Sequence, residues 1–343
     1  MIPVAHTSYS SAGSSGSEDK HEALRTERMA ARDLAIGTIL LLQTTFGIVG
    51  NFFLLCHYLF LHFTECRLRS TDLIIKNLIV ANLLVLLSSG IRYTLSSFGV
   101  DPGHPDLECR FLPYVCAVGR GVSIGTTSLL SVIQAIIISP RNSRWAEIKG
   151  EALKCIVPSI TLCWVLHMLI NIIFPMFMTI RGSHKNTTNR KNLGYCSTVR
   201  PDKTRVNLYA ALLSFPDIFC FGLMFLASGS IVFILYKHKQ RVKHLHKANV
   251  CLRSSPESRA TKTILVLVST FVLFNTVSSI FYALLALVNN PSSFLLAVTS
   301  ASTLCFPSLS PFLLMSRESR VSRVWFAWTK NTKSFRLAHL SSG

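Results

Sequence analysis

Seven long apolar runs, separated by short segments crowded with charge, dominate the chain. They read as about Leu34–Leu61, Leu73–Phe98, Phe111–Ser139, Cys155–Ile180, Leu208–Tyr236, Thr263–Val288 and Phe294–Ser316. A helix that crosses the hydrocarbon core of a bilayer needs about 20 mostly apolar residues. Each run is long enough, so the pattern predicts an all-α membrane protein, a bundle of seven transmembrane helices. The second and third runs are the most polar. Connections are short except Arg181–Val206 and Lys237–Lys262. No internal repeat is visible, which argues against a transporter built from inverted repeats. The bundle is expected over residues 34–316, with a polar tail at 1–33 and a second tail at 317–343. Ser and Gly dominate Ser8 to Ser17, and no secretory signal peptide is visible. The first apolar run reads as a signal anchor, and residues 1–28, ahead of Met29-Ala-Ala-Arg-Asp33, as an upstream extension.

Composition changes the picture in two ways. Half the residues are hydrophobic and only 15% are charged, against roughly 25% charged in an ordinary soluble domain. The formal net charge of +19 invites a nucleic-acid reading, but the Lys and Arg sit in the connections, not on one face of a folded domain. They orient the chain instead. With the N-terminus outside, the inner segments hold 20 Lys and Arg and the outer ones 12, which favours a cytoplasmic C-terminus. The vote is not clean, because Arg181–Val206 is itself basic. Asn186-Thr-Thr188, the usable glycosylation sequon, falls in that same outer loop, whereas Asn290-Pro-Ser292 is excluded by its proline.

Candidate chemistry is sparse. The cysteines lack CxxC or Cys/His metal spacing, and no metal or other cofactor is expected. Cys109, at the outer end of the third helix, and Cys196, in the outer loop, would both face an oxidising compartment. They read either as a disulfide pinning the loop over the bundle or as two free surface thiols. Arg92, Arg120 and Asp217 lie inside apolar runs, where an ionisable group marks a functional site by default. They are the ligand-binding candidates, against snorkelling to the interface, which suits Arg92. Pro307 and Pro311 place two breaks one turn apart in the seventh helix, either a hinge or a static kink. The basic stretch Lys237-His-Lys-Gln-Arg-Val-Lys-His-Leu-His-Lys247 reads as a contact for anionic lipid or a cytoplasmic partner. HExxH, GxSxG and Gly-rich phosphate loops are absent, so an enzyme is not expected.

Several stretches together resemble one family. They are Gly47-Ile-Val-Gly-Asn51, Thr71-Asp-Leu-Ile with Val80-Ala-Asn82, Arg120-Gly-Val-Ser-Ile124, Leu129-Leu-Ser-Val-Ile-Gln-Ala135, Ile138-Ser-Pro-Arg-Asn-Ser-Arg-Trp145, Gly194-Tyr-Cys-Ser197, Ala227-Ser-Gly-Ser230, Tyr236-Lys-His-Lys-Gln240, Arg259-Ala-Thr261, Cys305-Phe-Pro307 and Ser310-Pro-Phe312. In this order and spacing the chain resembles the vomeronasal type-1 receptors, rhodopsin-like G-protein-coupled pheromone receptors. The resemblance spans about residues 29–328. It implies a multi-pass plasma-membrane protein that binds small pheromone-like molecules in the outer half of its bundle and activates an inhibitory-type G protein. Arg141, Arg144, Trp145, Lys237, Lys239, Arg241 and Lys243 would face that G protein. Like the family, the chain lacks Asp-Arg-Tyr at the inner end of the third helix, reading Ile136-Ile-Ile-Ser-Pro140. It departs from the family at Ser89-Gly-Ile-Arg92, at Cys116-Ala117 and at Gly125 and Ser128. The alternatives are a bitter-taste-type receptor and a transporter or channel.

Overall fold

A computed structural model of the chain describes residues 15–64, 70–98, 110–139, 145–172, 175, 178–180, 190–193, 196–199, 203–245, 256–288 and 292–317. The helices are α1 Ser15–Thr64, α2 Ser70–Val85, α3 Ile91–Ser97, α4 Leu112–Ile138, α5 Trp145–Lys154, α6 Ile156–Asn171, α7 Lys203–Leu245, α8 Pro256–Leu287 and α9 Ser293–Arg317. A π-helical turn, Leu86–Gly90, joins α2 to α3. Among the described residues five helical stretches are long and apolar enough to cross a membrane: Ala31–Leu61, Thr71–Ser97, Leu112–Ile138, Ala211–Lys237 and Phe294–Ser316. Two shorter apolar helices, Ile156–Asn171 and Leu265–Phe281, fall where the fourth and sixth spans are expected.

The surface confirms the solvent. Phe46, Phe52 and Phe60 on α1, Leu162 and Leu169 on α6, and Phe215, Leu226 and Phe233 on α7 are all exposed. In water such a rim would be an aggregation hazard; in lipid it is the expected outer face, because lipid tails are as apolar as Leu.

The most polar expected spans turn out to be the inner ones. α4 packs against α2, α6 and α7, and touches α8. Its Ser123, Thr126, Thr127, Ser128 and Ser131 are buried. Small hydroxyl side chains let helix backbones approach closely in a bilayer. Several also satisfy themselves on their own helix: Thr126 Oγ1 donates to the Val122 carbonyl at 2.7 Å and Ser131 Oγ to that of Thr127 at 2.8 Å. Polarity in this run reflects central position, not weak membrane insertion. Likewise, Ser88 Oγ donates to the Leu84 carbonyl at 2.6 Å and Thr94 Oγ1 to that of Gly90 at 2.7 Å. These two hydroxyls give the carbonyls around the π turn partners inside the bundle, where water cannot serve.

Four elements differ from expectation. The fourth span ends at Asn171, and its expected last residues, Met178–Ile180, form strand β1. Pro175 cannot donate to a continuing helix, and the β-branched Thr179 and Ile180 suit a strand. The long connection Arg181–Val206 contains β2 Arg190–Leu193 and β3 Cys196–Val199, giving an antiparallel sheet of order β1-β3-β2 with Ile180 and Leu193 both paired to Cys196. The basic stretch after the fifth span is helical as far as Leu245, so most of it extends α7 and is not a loop. At the N-terminal end, α1 begins at Ser15, well inside the expected polar tail.

Candidate functional site

Four helices enclose a small cavity. It is lined by Val85 at the end of α2, by Arg120 and Ser123 of α4, by Phe271, Asn275 and Ser278 of α8, and by Ser302, Thr303, Phe306 and Pro307 of α9, and its volume is about 20 Å³. That is room for roughly one water. Its aromatic wall is fixed by an edge-to-face pair, Phe271 on Phe306, with centroids 4.5 Å apart. Its hydroxyls are tied across helices: Ser278 and Thr303 share a hydrogen bond of 2.9 Å between α8 and α9. Arg120 lies eight residues past the start of α4, and its Nη2 donates to Ser279 Oγ on α8 at 2.9 Å.

Of the three ionisable candidates, two influence each other electrostatically. Asp217, on α7, is within electrostatic reach of Arg120, so each offsets part of the other's cost in an apolar medium. Neither Asp217 nor Arg92 lines the cavity. Arg92 is half-buried, with its guanidinium 5.2 Å from the centroid of the Tyr93 ring, a cation–π distance.

Beneath the cavity the two prolines of α9 are held by the first and second spans. Pro311 has no N–H, so the carbonyl of Pro307, four residues back, loses its helical donor. Asn51 supplies one: its Nδ2 donates to the Pro307 carbonyl at 2.8 Å and to that of Gly47 at 2.8 Å. Asn82 Nδ2 donates to Ser310 Oγ at 2.9 Å, and its Oδ1 accepts from Ser123 Oγ at 3.1 Å, linking α2, α9 and α4. Gln43 Nε2 donates to the Ala301 carbonyl at 3.0 Å, and Ser308 Oγ to that of Gln43 at 3.1 Å. Both asparagines are fully buried. Replacing Asn51 with Leu removes the donor and leaves the Pro307 carbonyl unpaired in a dry interior, at a cost of about 1–3 kcal/mol. The thermal midpoint of the purified receptor is expected to fall, and an Asn51→Leu protein melting with the wild type would remove this role.

Residues 34–327 match the vomeronasal organ pheromone receptor family. The chain belongs to that family. It is 50% identical to vomeronasal type-1 receptor 4 of Homo sapiens over 302 residues, 88% of this chain and 100% of that one. It is 48% identical to vomeronasal type-1 receptor 3 of Homo sapiens over 297 residues, covering 86% and 95% of the two chains. Among solved structures squid rhodopsin superposes with a TM-score of 0.62 over 86% of this chain and 80% of that one, at 19% identity. The fold is thus the seven-helix bundle of G-protein-coupled receptors. This vomeronasal-family chain is a chemosensory receptor, a multi-pass plasma-membrane protein whose partners are a ligand and a G protein.

The remaining candidates of the receptor are scattered. Cys109, Asn186, Arg141 and Arg144 lie outside the described residues. Cys196 is the first residue of β3, and Trp145 the first of α5. Lys237, Lys239, Arg241 and Lys243 all fall on the last turns of α7, with the Lys237 ammonium 5.8 Å from the centroid of the Phe233 ring. Sequence reasoning missed Asn51, Asn82, Ser279 and Thr303 as site residues. The asparagines did carry a signal, since an amide in an apolar run must find a partner in the bundle. The serines and threonines carried none, being common throughout such helices.

Proposed function

We propose that this receptor binds a small pheromone-like molecule in the outer half of its bundle, at the cavity holding Arg120, and activates an inhibitory-type G protein. The observation that carries the reading is Arg120 itself, a side chain that lines a cavity between four helices and donates a hydrogen bond to Ser279 on α8. Arginine is costly at that depth, and a ligand contact gives it a use. Asp217 serves as its counter-charge, while Arg92, on the Tyr93 ring, belongs to the rim. Pro307 and Pro311 form the hinge: ligand binding favours one of two packings of α9, and the population shifts by the ligand's differential affinity. The N-terminus is extracellular and the C-terminus cytoplasmic, supported by the excess of basic residues in the inner segments. Cys109 and Cys196 form a disulfide that pins the outer loop over the bundle, and Asn186 carries a glycan.

The basic last turns of α7, with Arg141, Arg144 and Trp145, form the G-protein surface. In cells with confirmed surface staining, ligand-dependent G-protein activation is expected, and to be abolished when inhibitory-type G proteins are uncoupled from receptors. Changing Lys237, Lys239, Arg241 and Lys243 together to Gln is expected to lower the maximal signal while leaving half-maximal ligand concentration nearly unchanged. A ligand signal that survives uncoupling, or a ligand-gated current without a G protein, would count against this reading.

A further inference from the structure

α7 carries a lipid-facing stripe into a cluster of positive charge. Of the five long spans among the described residues, Ala211–Lys237 is the least buried. Phe215, Phe219, Leu226 and Phe233 follow one another at helical spacing and are all exposed, so this side of the helix meets the acyl chains. The stripe does not end with the apolar run. Lys237, the last residue of the span, lies one turn past Phe233 and is exposed, and its ammonium stays 5.8 Å from the centroid of the Phe233 ring. Beside it Gln240 Nε2 donates to Tyr236 Oη at 2.9 Å, and an exposed tyrosine at the end of a span marks the headgroup level. Arg241 falls one further turn along the register of Phe233 and Lys237.

These charges have no partner in their own segment. From Lys237 to Lys247 the chain holds five Lys and Arg, and no Asp or Glu occurs between Asp217 and Glu257. A helix C-terminus favours cations, but not their crowding. Lys237 with Arg241, and Lys239 with Lys243, are like charges four residues apart, a spacing that destabilises a helix; the helix nevertheless continues to Leu245. An anion shared by two such charges turns repulsion into attraction. A singly charged headgroup meets one cation, whereas a multiply phosphorylated one can meet two that stand a turn apart.

We propose that the inner end of α7 binds a phosphoinositide of the cytoplasmic leaflet, with Lys237 and Arg241 on its phosphates and its acyl chains along Phe233 and Leu226. Lys239 and Lys243 lie off that stripe and are left to the G protein. The proposal rests on the exit from α7 being cytoplasmic and is independent of the cavity. It is tested on the full purified receptor in phosphatidylcholine nanodiscs doped with a bisphosphorylated phosphoinositide, or with phosphatidylserine at equal total charge. Both faces of a nanodisc carry the added lipid, so orientation does not enter; staining of a C-terminal tag in intact and permeabilised cells reports it separately. Lipid retained by the receptor is read by native mass spectrometry. The phosphoinositide is expected to be retained in preference to phosphatidylserine. Lys237→Gln with Arg241→Gln is expected to weaken its binding about thirtyfold, the worth of two charges at an anionic headgroup. Lys239→Gln with Lys243→Gln removes the same charge from off the stripe and is expected to keep most of the binding. Equal losses in the two double variants, or phosphatidylserine retained as well as the phosphoinositide, would mean diffuse attraction to a basic surface and overturn the site. A receptor that retains neither lipid would overturn it as well. A tag stained in intact cells would overturn the cytoplasmic leaflet as the source, whatever the nanodiscs show.

Discussion

A single methyl group added at Gly121 is expected to destabilise the bundle more than most larger changes on its surface. Gly121 and Gly125 lie one turn apart on α4, and His167 and Cys163 lie one turn apart on α6, so the two faces meet in register. A Cβ at Gly121 would overlap the imidazole of His167, and one at Gly125 the Sγ of Cys163. Small residues at such seams let backbones approach closely, which is how helices associate in lipid. His167 is only 5% exposed, and its ring has nowhere to go. Overpacking of this kind costs about 1–3 kcal/mol. The effect should be larger at Gly121, which faces a rigid ring, than at Gly125, where a single thiol can rotate aside. Surface expression and thermal midpoint of Gly121→Ala are expected to fall, and Gly125→Ala to be restored by adding Cys163→Ala. Wild-type melting of Gly121→Ala would mean that α4 and α6 are further apart than described.

The second large effect concerns the intramembrane pair. Arg120→Leu leaves the Asp217 carboxylate without its counter-charge, and Asp217→Leu leaves the guanidinium likewise. Breaking one side of a buried pair in contact costs about 3–5 kcal/mol, whereas replacing both sides with apolar groups is often neutral. Arg120 and Asp217 are only half-buried and interact through space, so each single change should fall below that range. The double variant Arg120→Leu, Asp217→Leu is expected to reach the surface and to melt closer to the wild type than either single. Additive losses in this cycle would mean that the two groups do not interact.

The number and order of the spans were legible because a bilayer imposes a length on every apolar run. Their ends were less so. The fourth run continues in apolar residues beyond Asn171, and composition alone does not separate a helix from the short strand Met178–Ile180 that follows. The polarity of the second and third runs is the mark of the central helices, where Ser123, Thr126 and Asn82 are buried among other helices. Arg120 and Asp217 were legible as candidates because charge inside an apolar run is rare, and the fold brings them together. Arg92 carried the same signal, yet it lies against the ring of its neighbour Tyr93 and does not line the cavity. The prolines of α9 were visible as breaks, but their partner Asn51 is more than 250 residues away in the chain, and no local pattern encodes such a contact. Ser279 and Thr303 became site residues only through the packing of α8 on α4 and α9.

The central claim is that the receptor reads its ligand through Arg120. Ligand-dependent G-protein activation by the Arg120→Leu, Asp217→Leu double variant, beside Arg92→Leu and the wild type at matched surface expression, tests it most directly. The account predicts that the double variant loses the response to a ligand that activates the wild type, while Arg92→Leu keeps it. A double variant that responds at the wild-type concentration would contradict the claim and move the ligand site elsewhere in the bundle.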